Sequence, residues 1–166
     1  ASDVYKRQPV YRRLQPILDN LDSIGQYQYH LLKYYIEHYR MQKYKPNAGY
    51  VQFLFNDMCP QTFYGIYDYW GLPKKGLQAV LESNMPVGIF LKFKDKLDAI
   101  YAVNDYSCAL GICRVGYSIT DETGKVVAED AKDINIKEDS LTKLWEFDGT
   151  IHSGSVYNVA LWIEQD

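Results

Sequence analysis

The chain has 166 residues, with 18 Lys and Arg against 21 Asp and Glu for a formal net charge of −3. That length holds one ordinary domain or pieces of two larger ones. The charge supplies no basic face for nucleic acid, and no apolar run approaches the roughly 20 residues of a membrane span, so neither partner is expected. Three cysteines, Cys59, Cys108 and Cys113, form neither an even disulfide framework nor a CxxC pair. They are expected to stay reduced, which leans toward a reducing compartment, and no metal site or cofactor is indicated. Aromatic content is the outlier, at 16 Tyr, 6 Phe and 3 Trp. Tyrosine joins an apolar face to a hydroxyl, which suits both sugar clefts and large protein interfaces.

Residues 1–8, ASDVYKRQ, match codon by codon one frame of a common transposon-type sequencing adapter. They are set aside, and the native protein is expected to begin near Pro9. Residues 9–25 carry short apolar spacings broken by Pro16 and read as helical turns and loop. Residues 26–45 form the clear helix, because Leu31, Leu32, Tyr35 and Tyr39 recur at three- and four-residue intervals. Glu37 and Arg40 make a modest surface pair on it. His30 and His38 lie on this helix without a second ligand at useful spacing, so they are expected to be structural or solvent-facing. Pro46 ends the helix, and residues 47–49 turn the chain.

Residues 49–55 are apolar or aromatic apart from Gln52, which reads as a strand buried on both faces. Asn56 and Asp57 stand at its end, followed by a loop dense in aromatics: Phe63, Tyr64, Tyr67, Tyr69 and Trp70. Polar groups at the carboxyl end of a buried strand beside an aromatic loop suit a ligand mouth in an α/β barrel. The competing reading is that Asn56 and Asp57 cap the next turn while the aromatics fill a core. A second helix should run from Pro73 to about Ser83, with Leu77, Val80 and Leu81 as its apolar positions.

Pro86 marks a boundary. Ile89, Leu91 and Phe93 alternate with Phe90, Lys92 and Lys94; Cys113, Val115, Tyr117 and Ile119 alternate with Arg114, Gly116, Ser118 and Thr120. Tyr157, Val159, Leu161 and Ile163 repeat the pattern. Period-two runs separated by turns such as residues 121–124 predict an antiparallel sandwich of six or seven strands. The expected architecture is therefore an α/β piece over 9–85, the last strand of a TIM barrel with its flanking helices. An all-β immunoglobulin-like sandwich over 86–166 follows, with a closing strand expected beyond it.

The stretch YYIEHYRMQKYKPNAGYVQFLFNDMCPQTFYGIYDYWGLPKKG carries a resemblance. It is similar to the end of the catalytic barrel in glycoside hydrolase family 2, in the branch of β-mannosidases and exo-β-glucosaminidases. The matching residues are Tyr34, Tyr35, Ile36 and Glu37, the run from Phe53 to Asp57, Pro60, and the tail Asp68–Tyr69–Trp70–Gly71–Leu72–Pro73–Lys74. The match covers residues 26–85; the sandwich resembles the family only in position and patterning. Phe53 stands where many members have Trp, and Cys59 where they have Trp before the proline. A phenyl ring still stacks on a sugar but lacks the indole N–H.

The resemblance implies a retaining exo-β-glycosidase acting on terminal β-linked sugars, with β-mannoside favoured over glucosaminide or galactoside. Retaining chemistry needs two carboxyl groups about 5 Å apart. In this family both are glutamates on earlier barrel strands, so no catalytic residue is expected in this chain. The missing amino-terminal domains of the same polypeptide would be its partner. What the chain would contribute is a substrate-subsite wall: Phe53 for stacking, Asn56 and Asp57 for polar contacts. Asp57 could equally brace the loop, and Asp68, with Trp70, should pin it. The alternative is a non-catalytic carbohydrate-binding or structural sandwich module.

Overall fold

The computed structural model describes residues 21–62, 64–94, 96–149, 151 and 156–165. The expectations for residues 1–20 and for Phe63 lie outside the described residues. The chain divides into two compact units. One comprises the chain to Ile36 together with Val51–Ser83; the other comprises Glu37–Tyr50 and Asn84–Asp166.

The first unit contains most of helix α1 (Leu21–Arg40) and helix α2 (Lys75–Ser83). Helix α1 starts five residues before the predicted boundary, and the chain leaves the helix at Arg40 for a series of turns. Exposed His30 lies nearly perpendicular to the Tyr29 ring, with centres 5.2 Å apart, and His38 is half-buried. On α2 the buried face is Gly76, Ala79 and Ser83 rather than the larger apolar residues, and Leu81 is exposed. Small residues win there because Gln28 of α1 is itself buried against that face. Its Nε2 donates to the Gly65 carbonyl at 2.8 Å, and its Oε1 accepts the Gly76 N–H at 3.3 Å. A Cβ at Gly76 would sit 2.8 Å from that amide. One buried glutamine thus satisfies backbone groups of the loop and of α2, which no apolar side chain could do.

The expected barrel strand is absent: residues 49–55 form no strand. Val51 and Phe53 are exposed at 91% and 92%, and Phe55 is exposed as well. The reason is hydrogen bonding. A barrel strand is held by a neighbour on each side, and no strand among the described residues lies beside this segment. The barrel piece of the expected architecture is therefore not evident here.

The second unit is a β-sandwich. One antiparallel sheet has the order β1 (Val87–Phe93), β2 (Leu97–Asn104), β5 (Ser140–Glu146). The other has the order β4 (Val126–Ile136), β3 (Gly111–Asp121), β6 (Tyr157–Gln165). The register pairs Val115 with Lys132 on one side and with Ile163 on the other. The core between the sheets holds Ile100, Ala102 and Leu144 from the first sheet, and Cys113, Val115, Ile119 and Ile136 from the second. Each fully buried branched side chain is worth about 1.5–3 kcal/mol. The Tyr117 ring stands nearly perpendicular to those of Trp145 and Phe147, with centres 5.0 and 5.4 Å apart.

Strand β2 is buried on both faces, because Val103 packs with Phe90 and Met41 in a second, smaller cluster. Phe90, read from the alternation as an outward position, is buried there with the Arg40 guanidinium 5.0 Å from its ring centre. All three cysteines are free, with Cys113 buried in the core.

Candidate functional sites

In the first unit, the segment after Phe55 pairs briefly with the far side of its own loop. The Asp57 N–H donates to the Tyr67 carbonyl at 3.1 Å, and the Ile66 N–H donates to the Phe55 carbonyl at 3.0 Å. This turns Asp57 inward. Its side chain is fully buried. Oδ1 accepts the Gly65 N–H at 2.7 Å and Gln61 Nε2 at 3.1 Å, while Oδ2 is ion-paired with Lys74 Nζ. Burial pushes the carboxyl up, but the hydrogen bonds from Lys74, Gly65 and Gln61 outweigh it, so the pKa falls below the usual Asp value. Of the two roles open to Asp57, bracing the loop is the one this geometry describes.

Asn56 and Phe53 are exposed. Asp68 Oδ1 accepts the N–H groups of Trp70 and Leu72 at 2.9 and 2.8 Å, closing a turn at Gly71, whose φ of 81° suits glycine. Trp70 is exposed on that turn and meets Tyr69 edge-on at 5.5 Å. The braced loop therefore presents Phe53, Asn56 and Trp70 outward on a framework fixed by Asp57 and Asp68.

The second unit carries a site that the sequence reading missed: a polar cleft of about 390 Å³. Arg40 and Lys43 lie one turn apart, on and just beyond the end of α1, and are largely buried. Arg40 donates to Asp105 Oδ2 at 2.6 Å. Lys43 Nζ bridges Asp105 Oδ1 at 2.7 Å and Asp139 Oδ1 at 2.6 Å. The Tyr44 hydroxyl donates to Asp139 Oδ2 at 3.0 Å. Tyr39 and Tyr50 stack at 6.3 Å along the same cleft.

Buried Asn104 sets the carboxylates in place. Its Nδ2 donates to the carbonyls of Cys108 and Lys137, and its Oδ1 accepts the Tyr106 N–H. The Asp139 N–H in turn donates to the Tyr106 carbonyl at 2.9 Å. The one signal in the sequence was the Arg40, Lys43, Tyr44 spacing. Nothing local tied those residues to Asp105 or Asp139, which lie more than 60 positions away.

Asp105 and Asp139 both touch Lys43 Nζ, which puts their oxygens within the roughly 5–5.5 Å of a retaining glycosidase pair. Burial raises the Asp105 carboxyl, but Lys43 and Arg40 pull it below the ordinary range; hydrogen bonds from Lys43 and Tyr44 lower Asp139. A catalytic acid needs a raised pKa, and the Lys43 contacts shift both of these carboxyls the other way. No group of His, Cys, Asp and Glu among the described residues could hold a metal ion, and none of their helices is long and apolar enough to cross a membrane.

No family model and no curated protein sequence matches the chain. Its similarity to known proteins is structural. Exo-chitosanase CsxA of Amycolatopsis orientalis, in complex with PNP-β-D-glucosamine, matches 85% of this chain with a TM-score of 0.72 at 11% identity. A second structure of CsxA, an exo-β-D-glucosaminidase inhibited by a glucosamine-configured castanospermine, matches 83% with a TM-score of 0.70 at 12% identity. The β-D-mannosidase of Dictyoglomus thermophilum matches 81% with a TM-score of 0.65 at 25% identity. This chain spans 17% of the length of each of these proteins. It shares the fold of one segment of an exo-chitosanase and of a β-D-mannosidase.

Proposed function

We propose that the chain belongs to a retaining exo-β-glycosidase that removes terminal β-linked sugars, with β-mannosides favoured. In this reading the first unit adjoins the catalytic barrel, and the second is the immunoglobulin-like sandwich that follows it. The grouping of β1, β2 and β5 apart from β3 and β6 supports that sandwich type, while β4 pairs with β3 instead of joining the first sheet as in the constant type. The observation that carries the reading is the 25% identity to a β-D-mannosidase across 81% of the chain, at a TM-score of 0.65.

The chain's own chemistry supports a supporting role. Its close carboxylate pair is held ionised by Lys43, and Asp57 is consumed by Lys74 and Gly65. Proton donation to a leaving oxygen and capture of an oxocarbenium-like centre must then come from carboxyl groups elsewhere in a longer polypeptide. What this chain offers is a wall, with Phe53 to stack on a sugar face and Asn56 to exchange hydrogen bonds with its hydroxyls. Asp57 acts from beneath by holding that wall in place.

The test is release of nitrophenol from β-mannoside, β-glucosaminide and β-galactoside substrates, by the 166-residue chain and by the longer polypeptide side by side. The proposal expects turnover only by the longer polypeptide, fastest on the mannoside. Turnover by the short chain would overturn the placement of the catalytic pair. Inactivity of both would favour a non-catalytic carbohydrate-binding module.

A further inference from the structure

Among the described residues two non-glycine positions have positive φ: Tyr44 at 60° and Asp139 at 41°. They are hydrogen-bonded to each other, and both line the polar cleft of the second unit. Aspartate tolerates this region, but a tyrosine there is strained and persists only where its surroundings over-determine it. Such residues gather at ligand clamps. The surroundings here are the Lys43 bridge to Asp105 and Asp139 and the buried Asn104 anchor beneath them.

The cleft has the size of a small-ligand site, for which about 300–1,000 Å³ is usual. Its four charged groups, Arg40, Lys43, Asp105 and Asp139, sum to zero, so it offers no net attraction to an anion or a cation. What it offers is a dense set of acceptors beside aromatic rings. The Asp105 and Asp139 side chains remain about half exposed despite their ion pairs, leaving carboxylate lone pairs turned to solvent. Tyr44 is exposed, and the stacked Tyr39–Tyr50 pair supplies ring surface. Neutral charge, outward carboxylates and tyrosine rings match a molecule with an apolar face and several hydroxyls.

We propose that this cleft is a saccharide-binding site, taking a single neutral pyranose unit with its hydroxyls on Asp105 and Asp139 and its ring against the tyrosines. It lies wholly within the sandwich unit and needs no hydrolysis, so it stands or falls independently of the glycosidase reading. It would serve to hold a second part of a glycan, or a neighbouring chain of it.

The experiment is a titration of the ¹⁵N-labelled 166-residue chain with methyl β-D-mannopyranoside, read by amide NMR shifts, with inorganic phosphate as a parallel probe. Expected are saturable shifts in the millimolar range centred on Lys43, Tyr44, Asp105 and Asp139. Asp139→Asn keeps the shape but weakens the acceptor, and should loosen binding about fivefold, as should loss of ring surface in Tyr50→Ala. Should Tyr50→Ala perturb the fold, as its spectrum would reveal, Asp139→Asn alone decides. Three results would overturn the proposal: no saturable shift at the cleft, shifts unchanged in Asp139→Asn, or shifts produced by phosphate and not by the glycoside.

Discussion

Gly65 is pressed against Asp57: a Cβ built on Gly65 would stand 2.6 Å from Asp57 Oδ1 and 2.7 Å from Asp57 N. The close approach lets the Gly65 N–H reach that carboxylate at 2.7 Å. The loop's brace thus depends on the absence of a side chain at one position. Gly65→Ala must push backbone against backbone, because the Tyr67 carbonyl is also 2.7 Å away. Overpacking of this kind costs about 1–3 kcal/mol. Urea unfolding should show that loss, whereas Gly49→Ala, with nothing within 4 Å of its Cβ, should leave stability unchanged.

The Lys74–Asp57 pair makes a second, pH-dependent prediction. Removing one partner of a buried pair strands the other charge and costs about 3–5 kcal/mol. Lys74→Met should therefore speed hydrogen exchange at the Gly65 amide by about a hundredfold to a few thousandfold at neutral pH. The Asp57 pKa is lowered in the fold, so its contribution is complete above the unfolded value of about 3.9. It is lost as pH falls through the folded value. The gap between the variant and the unaltered chain should accordingly narrow below about pH 4. A constant gap down to low pH would mean that the Asp57 carboxylate does not hold the loop.

How much of this could be read from residues alone depended on whether the determining partner was local. Cys113, Val115, Tyr117 and Ile119 face the core as their alternation requires, because a half-buried strand writes its environment into every second residue. Strand β2 gave no such signal, since Ala99, Ile100, Ala102 and Val103 are buried on both faces. Residues 49–55 misled for a related cause. Their composition marks a buried strand, but burial requires neighbours that composition cannot supply, and Val51 and Phe53 are exposed. The polar cleft was illegible because Lys43 meets Asp105 and Asp139 only through the fold, and the left-handed turn at Tyr44 has no glycine to announce it.

Gly116 and Trp162 are paired in register across β3 and β6, and a Cβ on Gly116 would overlap the indole. Gly116→Ala should displace Trp162, costing about 1–3 kcal/mol and altering the near-ultraviolet signal of the tryptophans. An unchanged spectrum with full stability would mean that the indole does not lie over that glycine.

Exposure predicts where the chain is cut. Phe53 and Phe55 are exposed, in a segment that pairs with no strand among the described residues, whereas β1 to β5 sit in paired ladders. Proteases cut where the backbone can open at little cost. Brief chymotrypsin digestion should cleave first between residues 50 and 72 and leave a resistant product beginning near Pro86. First cuts inside 87–146 would mean that the paired strands open more readily than the segment around Phe53 and Phe55.

The proposed sugar subsite rests on Phe53 as its wall, with the proton and charge chemistry elsewhere in the polypeptide. The direct measurement is kcat/KM of the longer polypeptide on nitrophenyl β-mannoside, with and without Phe53→Ala. Loss of a stacking ring is worth about 1 kcal/mol beyond lost area, so kcat/KM should fall at least about fivefold, with retention of anomeric configuration preserved in the residual turnover. An unchanged kcat/KM would contradict the claim and take Phe53 out of the subsite.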